Sequence, residues 1–378
     1  MNKIKVMTVF GTRPEAIKMA PLVHALEQNE NTESIVCVTA QHREMLDQIL
    51  ATFSVVPDYD LSVMKDSQTL FDVTTGVLEG LKGVLEAEKP DIVLVQGDTT
   101  TAFAAALAAY YLRIPVGHVE AGLRTRDIYS PYPEEFNRQA VSIVSCYNFA
   151  PTEQAKENLL AEGRDPGTIH VTGNTVIDAL KTTVRPDYRF STEELNQLPY
   201  GEKKIILVTC HRRENYGEPM KHIMLALRQI AEENPEVELV YPVHLSPVVR
   251  EAVDTYLRGA PRVHLIDPLP ADEMHNLMAR CYMVMTDSGG LQEEAPALGK
   301  PVVVLRTETE RPEVVEAGMA LLAGVEEQHV YEAGERLLTD AQLYHAMAHA
   351  INPYGDGHTS EKIAQIILDW GRARRKRP

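Results

Sequence analysis

The sequence has little sulfur and no paired sulfur. Its four cysteines, at positions 37, 146, 210 and 281, lie far apart and form no CxxC, which excludes zinc-ribbon and thioredoxin-like motifs. Two of them stand in the apolar runs SIVCVTA and IILVTC, where a reduced, buried thiol is usual. A reducing, cytoplasmic compartment is therefore expected. Long hydrophobic runs are also missing. The opening MNKIKVMTVF is too short an apolar run for a signal peptide, and AFAAALAAYYL is too short to span a bilayer. Positive charge is in deficit, with 37 Lys and Arg against 54 Asp and Glu and a formal net charge of -17. That excludes non-specific nucleic-acid binding and means that an anionic ligand needs a local positive site. The basic stretch GRARRKRP runs against this balance and reads as a solvated end. Neither GxGxxG nor GxxxxGK[ST] follows a strand, so NAD and P-loop readings have no support.

What is present is repeated strand-helix alternation. The 378 residues are enough for two domains. In the first half, IKVMTVF, ESIVCVTA, PDIVLVQGD and IPVGHVE read as strands with helices between them. After IKVMTVF, Thr12 is placed to cap a helix and Pro14 suits its first turn. The pattern restarts at residue 203, where KKIILVTCHRRENYGEPMKHIMLAL echoes IKVMTVFGTRPEAIKMAPLVHAL. VELVYPVH, RVHLIDP, CYMVMTDSGG and KPVVVLR continue it. The polar stretch 181–204 between the halves reads as a connector. Continuous apolar strands between helices predict parallel sheets covered on both faces. The expected fold is two doubly wound, Rossmann-like α/β domains facing across a cleft, with ligands outside the carboxyl ends of the strands.

Those strand ends carry Arg13 and Glu15, Asp98, Glu120, His211 with Arg212 and Arg213, His244, and the turn Asp287-Ser288-Gly289-Gly290. Gly289 and Gly290 admit close approach of a ligand to the backbone, and helix N-terminal N–H groups suit a phosphate. Glu294, one turn further on, is placed to accept from a ribose hydroxyl. A plain strand-to-helix turn is the alternative. Asp98 either caps its helix or belongs with Glu120 to an acidic pair; Glu120 alternatively pairs with Arg124. Glu134 and Glu135 begin a helix with Arg138 one turn on, where dipole-stabilising acids are as good a reading as function for Glu135 and a weaker one for Glu134. Arg13 and Lys18 lie just beyond a strand end and supply positive charge for a phosphate.

Taken in order, FGTRPEAIKMAPL, GDTTT, HVEAGLRT, YSPYPEEFNRQ, TGNTVIDAL, HRRENYGEP, TDSGGLQEEAPALGKPVVVLR and TERPE resemble the non-hydrolysing bacterial UDP-N-acetylglucosamine 2-epimerases over nearly the whole chain. The resemblance implies the GT-B fold, a homodimer, no cofactor and no metal. It implies domains at 1–172 and 173–356, and a final helix, within 357–378, that crosses back to the first domain. Carried over by motif, UDP and substrate are held by Arg13, Lys18, His211, Leu269, Met274 (where an aromatic is expected), Ser288, Gly289, Gly290, Glu294 and Arg311. Asp98, Glu120 and Glu134 form the catalytic group, with His211 near the pyrophosphate. The family can bind a second UDP-N-acetylglucosamine as an activator. Gln41 and His42 match that site, whereas Glu44 replaces a Gln and Ser67 an Arg, which implies weakened activation. The implied reaction interconverts UDP-GlcNAc and UDP-ManNAc. The neighbouring possibilities are the hydrolysing epimerase, a glycosyltransferase of the same fold, and a non-catalytic nucleotide-sugar sensor.

Overall fold

A computed structural model of the chain describes residues 3–39, 43–63 and 68–375. Gln41, His42 and Ser67 lie outside the described residues, and of Glu44 only the backbone is described, in the helix Arg43–Thr52. The chain divides into two compact units, residues 1–182 with 354–378, and residues 183–353.

The first unit carries a sheet of parallel strands, β1 (Ile4–Phe10), β2 (Thr32–Val38), β3 (Tyr59–Asp60), β4 (Ile92–Gln96), β5 (Val116–Val119), β6 (Tyr147–Ala150) and β7 (Ile169–Val171). Their spatial order is β3-β2-β1-β4-β5-β6-β7. The second unit carries β8 (Lys204–Thr209), β9 (Val237–Pro242), β10 (Val263–Ile266), β11 (Met283–Thr286), β12 (Val302–Val304) and β13 (Ala320–Leu322), ordered β10-β9-β8-β11-β12-β13. Both are doubly wound α/β sheets of the Rossmann-like type. Their central strands are buried on both faces: Val6, Met7, Val9, Val93, Leu94 and Val95 in one, Ile206, Leu207, Met283 and Val303 in the other, all without exposure. That is why they read as unbroken apolar runs rather than alternating ones.

Each sheet reverses its winding once, between β1 and β4 in the first and between β8 and β11 in the second. Crevices for ligands open at such reversals, outside the carboxyl ends of the two strands. The loops there are Gly11-Thr12-Arg13 and Gly97-Asp98-Thr99 in one unit, Cys210-His211-Arg212 and Asp287-Ser288-Gly289 in the other.

The units divide at Thr182/Thr183 rather than at residue 173, and the chain returns to the first unit at Tyr354 rather than 357. The helix Thr175–Thr183 stays with the first unit because Asp178 accepts from Thr359 N (3.2 Å) and Ser360 N (2.7 Å), capping the helix Thr359–Arg375. That last helix packs on the helix Arg13–Glu27 and buries Ile363, Ala364, Ile367 and Leu368. The stretch 181–204 is also more than a connector. Arg185 N donates to Asn276 Oδ1 (2.8 Å), Tyr188 Oη to Asp272 Oδ2 (2.6 Å) and Ser191 N to Glu273 Oε1 (2.9 Å), which fastens it to the helix Ala271–Arg280. Among the described residues, no helix is long and apolar enough to cross a membrane.

Candidate active site

In the first unit the chemistry gathers beyond β1, β4 and β5. Thr12 and Glu15 form a capping box on the helix Arg13–Glu27. Glu15 accepts from Gly11 N (3.0 Å), Thr12 N (2.8 Å) and Thr99 Oγ1 (2.6 Å). Burial raises its pKa against those donors. It is therefore a brace between two strand-end loops. Arg13 opens this helix and Lys18 follows one turn on.

Asp98 does not cap the helix Thr100–Tyr111; Thr99 does, accepting from Ala102 N. The Asp98 carboxylate instead accepts from Arg138 Nη2 at 2.6 Å, and its carbonyl accepts from Asn137 Nδ2 at 2.9 Å. Burial raises the Asp98 pKa. Arg138 opposes that shift, Glu120 adds to it, Lys18 opposes it and Glu134 adds to it. A carboxyl lifted towards neutral pH is suited to exchanging protons. Glu120 does not pair with Arg124, whose guanidinium is held by Glu162 (2.5 Å). Its carboxylate takes hydrogen bonds from Lys18 Nζ and from Asn174 Nδ2 (2.9 Å). Its backbone is left-handed, with φ 63°, a conformation that costs energy in a non-glycine residue and clusters at functional positions. Glu134 begins the helix Glu134–Val144 and is half-buried. Its neighbour Glu135 is buried, accepting from Thr125 N (3.0 Å) and Gln139 Nε2 (2.7 Å), and is a scaffold residue.

Beneath these acids lies His118, wholly buried, with its Nε2 2.7 Å from the Gly97 carbonyl. Burial pushes its pKa down to about 4; the Gly97 bond and Glu120 oppose this, and Arg124 and Arg138 add to it. The unfolded chain accepts a proton on this residue near pH 6.5, whereas the folded chain refuses it until about pH 4. Stability should therefore fall as the pH drops through that window, by about 3 kcal/mol from this residue at its low end. Denaturant titrations at pH 7 and pH 5 should show a loss about 2 kcal/mol smaller in His118→Gln than in the native chain. Equal losses would refute this linkage.

In the second unit, Asp287 turns inward. It is fully buried and accepts from His211 N (2.8 Å), Arg212 N (2.8 Å) and Asn215 Nδ2 (3.1 Å), which fixes the loop after β8 against the loop after β11. The His211 ring stacks on His244, centroids 5.2 Å apart. Burial lowers its pKa, Asp287 opposes the shift, and His244 and Arg212 deepen it, so the ring is predominantly neutral at pH 7. Ser288 precedes the helix Gly289–Ala297 without its side chain capping it, so these N-terminal N–H groups are not taken up by Ser288. A Cβ on Gly289 would stand 3.5 Å from Arg212 Nη2 and 3.8 Å from Arg311 Cζ, which locates two guanidinium groups over this helix start. Arg311 also pairs with Glu293. Glu310 lies near Arg306 (3.3 Å), Arg212 (3.6 Å) and Arg311 (3.6 Å). Burial raises its pKa, but the arginines outweigh burial and hold it low.

A cavity of about 250 Å³ opens beside the helix start, lined in part by His211, Leu269, Met274, Ser288, Gly290 and Glu294. Glu294 Oε2 lies 3.5 Å from Nε2 of the buried His275, whose Nδ1 is 2.8 Å from Thr183 Oγ1. Asp98, Glu120, Arg13 and Lys18 thus share the crevice loops of one sheet and their helices. His211, Ser288, Gly289, Gly290, Glu294, Leu269, Met274 and Arg311 belong to the other unit. Sequence reasoning missed Asn174, His118 and His275. The polar residue after the glycine in TGNTV and the lone His in the strand VGHV were readable signals; His275, on an amphipathic helix, offered none.

A family model described as UDP-N-acetylglucosamine 2-epimerase matches residues 24–368. The UDP-N-acetylglucosamine 2-epimerase of Bacillus subtilis is 55% identical over 378 residues, covering 100% of this chain and 98% of its own. That of Escherichia coli K12 is 52% identical over 369 residues, covering 96% and 98%. The crystal structure of the Neisseria meningitidis UDP-GlcNAc 2-epimerase bound to UDP-GlcNAc is 49% identical, with a TM-score of 0.87 over 97% of this chain and 100% of that one. With a matching family model over most of its length and relatives of this identity across nearly all of it, the chain belongs to the UDP-N-acetylglucosamine 2-epimerase family.

Proposed function

We propose that this chain reversibly inverts carbon 2 of UDP-N-acetylglucosamine, giving UDP-N-acetylmannosamine, without net hydrolysis and without a cofactor. The observation that carries the reading is the crowding of Asp98 and Glu120 at the carboxyl ends of the adjacent strands β4 and β5, each ion-paired, Asp98 with a raised pKa. The second unit supplies what a departing nucleotide diphosphate requires, a glycine-opened helix start with Arg212 and Arg311 over it.

The hydrogen at carbon 2 is not alpha to a carbonyl, so it is not acidic enough for simple abstraction. Elimination solves this. The bond from carbon 1 to the UDP oxygen breaks as a carboxylate takes the proton from carbon 2, leaving 2-acetamidoglucal and UDP. The UDP oxygen then adds back to carbon 1 while a protonated carboxyl delivers a proton to the other face of carbon 2. Asp98, Glu120 and Glu134 are assigned to these transfers, each typically worth about 10²–10⁴-fold. In the second unit, Arg311 carries charge for the pyrophosphate with the N–H groups of Gly289 and Gly290 and the Ser288 hydroxyl; in the first, the resemblance assigns Arg13 and Lys18 to UDP. His211, whose pKa burial lowers, is assigned as a hydrogen-bonding partner there. Leu269 and Met274 line the nucleoside cavity and Glu294 takes a ribose hydroxyl. The resemblance supports a homodimer and an activator site at Gln41 and His42, weakened where Glu44 and Ser67 depart from the family pattern, and the unpaired cysteines support a cytoplasmic setting.

The test is proton NMR of purified protein with UDP-GlcNAc in D₂O. UDP-ManNAc deuterated at carbon 2 is expected. Free ManNAc with UDP would show the hydrolysing reaction instead, and an unchanged sugar would overturn the epimerase reading.

A further inference from the structure

We propose that His118 is a positioning residue that aims Asp98 and couples it to the elements bearing Glu120 and Glu134; the roles of those acids rest on the reading above. His118 stands in β5 two positions before Glu120 and is 0% exposed. Its Nε2 donates to the Gly97 carbonyl at 2.7 Å, a carbonyl being able only to accept. Gly97 has φ 67° and is the residue directly before Asp98. A peptide group is planar, so a carbonyl fixed at residue 97 also fixes the N–H of residue 98. On the other side of Asp98, Asn137 Nδ2 holds its carbonyl at 2.9 Å. Both peptide planes flanking Asp98 are thereby pinned, and Arg138 takes its carboxylate at 2.6 Å.

The other edge of the imidazole reaches the third element. Nδ1 lies 3.5 Å from Ser142 Oγ. That hydroxyl donates to the Arg138 carbonyl (2.9 Å) and accepts from Arg124 Nη2 (3.1 Å). Ser142 and Arg138 both belong to the helix that Glu134 begins. One ring therefore touches the strand leading to Glu120, the residue leading to Asp98 and the helix led by Glu134. Burial keeps the ring neutral, and the Gly97 carbonyl, which can only accept, places its proton on Nε2.

A buried histidine that only fills space predicts something different from one that aims a carboxylate, and two variants separate the cases. His118→Phe keeps volume and removes the donor; His118→Gln restores a donor near the Nε2 position. In UDP-GlcNAc turnover, His118→Phe is expected to lose about 10²-fold in kcat, the scale of a misplacement near 1 Å, with KM and UDP affinity within about twofold. His118→Gln is expected to recover most of the loss. A His118→Phe kcat within about twofold of native, or parallel losses in both variants that track their melting temperatures, would overturn the proposal. The second readout needs no turnover. Carbon-13 titration of the Asp98 carboxyl should show its midpoint rising by about 1 pH unit in His118→Phe as the Arg138 pair loosens, and returning in His118→Gln. An unmoved midpoint overturns the proposal whatever the activity. A native chain that leaves UDP-GlcNAc unchanged would refute the epimerase reading alone, and the Asp98 titration would still decide the role of His118.

Discussion

Asp98→Asn is expected to turn over UDP-N-acetylglucosamine about 10²- to 10⁴-fold more slowly than the native chain while binding UDP with unchanged affinity. The amide keeps the volume and an acceptor for Arg138 Nη2, so the loop has no reason to move. What disappears is the exchangeable proton. The polar partners that hold Asp98, Asn137 and Arg138, both lie in the first unit. The groups assigned to the uridine and ribose lie in the second, around the cavity by Ser288. Glu134→Gln should behave in the same way, since Glu134 begins a helix in the first unit. Steady-state kinetics beside calorimetric UDP titration makes the comparison. Should UDP affinity fall in step with turnover in either variant, that residue is a binding group and its assignment to proton transfer is wrong.

The second large effect is expected at a residue assigned no contact with substrate. Asp287→Ala should weaken UDP binding by about 30- to 700-fold. The carboxylate is buried and gathers the N–H groups of His211 and Arg212 with the Asn215 amide. Without it, the backbone after β8 loses its anchor. Fixing a freed residue again on binding costs roughly 1–2 kcal/mol, and two such residues give that range at 1.4 kcal/mol per decade. The native fold should also lose on the order of 3 kcal/mol, because buried donors are left without an acceptor. Asp287→Asn retains an acceptor oxygen and should lose less on both counts. Titrating UDP into folded Asp287→Ala decides it: native affinity there would show that the loop holds its shape without the carboxylate.

The contrast between these two aspartates shows what the sequence could and could not reveal. Both follow an apolar strand and both precede a helix, so both read as candidates for chemistry. Only three-dimensional context separates them: Asp287 points back under two backbone N–H groups, while Asp98 is held by a guanidinium and sits among other carboxylates. Glu15 and Glu135 likewise sit at helix starts beside assigned residues and turn out to be braces. The strands that form the sheet centres were legible because burial on both faces writes continuous apolar runs. β3, β6, β7 and β13 were not: they are two to four residues long and, unlike β12 with its three valines, carry no run of β-branched residues. His275 could not be found either, because its role depends on Glu294 and Thr183, distant in the chain and adjacent only after folding.

The return of residues 354–378 to the first unit has a consequence for biosynthesis. A ribosome releases the strands β1 to β7 long before it makes Ile363, Ile367 and Leu368, which are buried against that unit. Until they arrive, the outer face of the helix Arg13–Glu27 lacks its cover, and Asp178 has no helix start to cap. The second unit is contiguous, so it can complete its fold while the first still waits. The first unit therefore cannot be completed until after the second has been made. A nascent chain stalled before residue 354 would present an apolar surface of the kind that recruits chaperones. A premature stop within the helix Thr359–Arg375 would damage the unit that carries Asp98 and Glu120, although those residues had been made correctly.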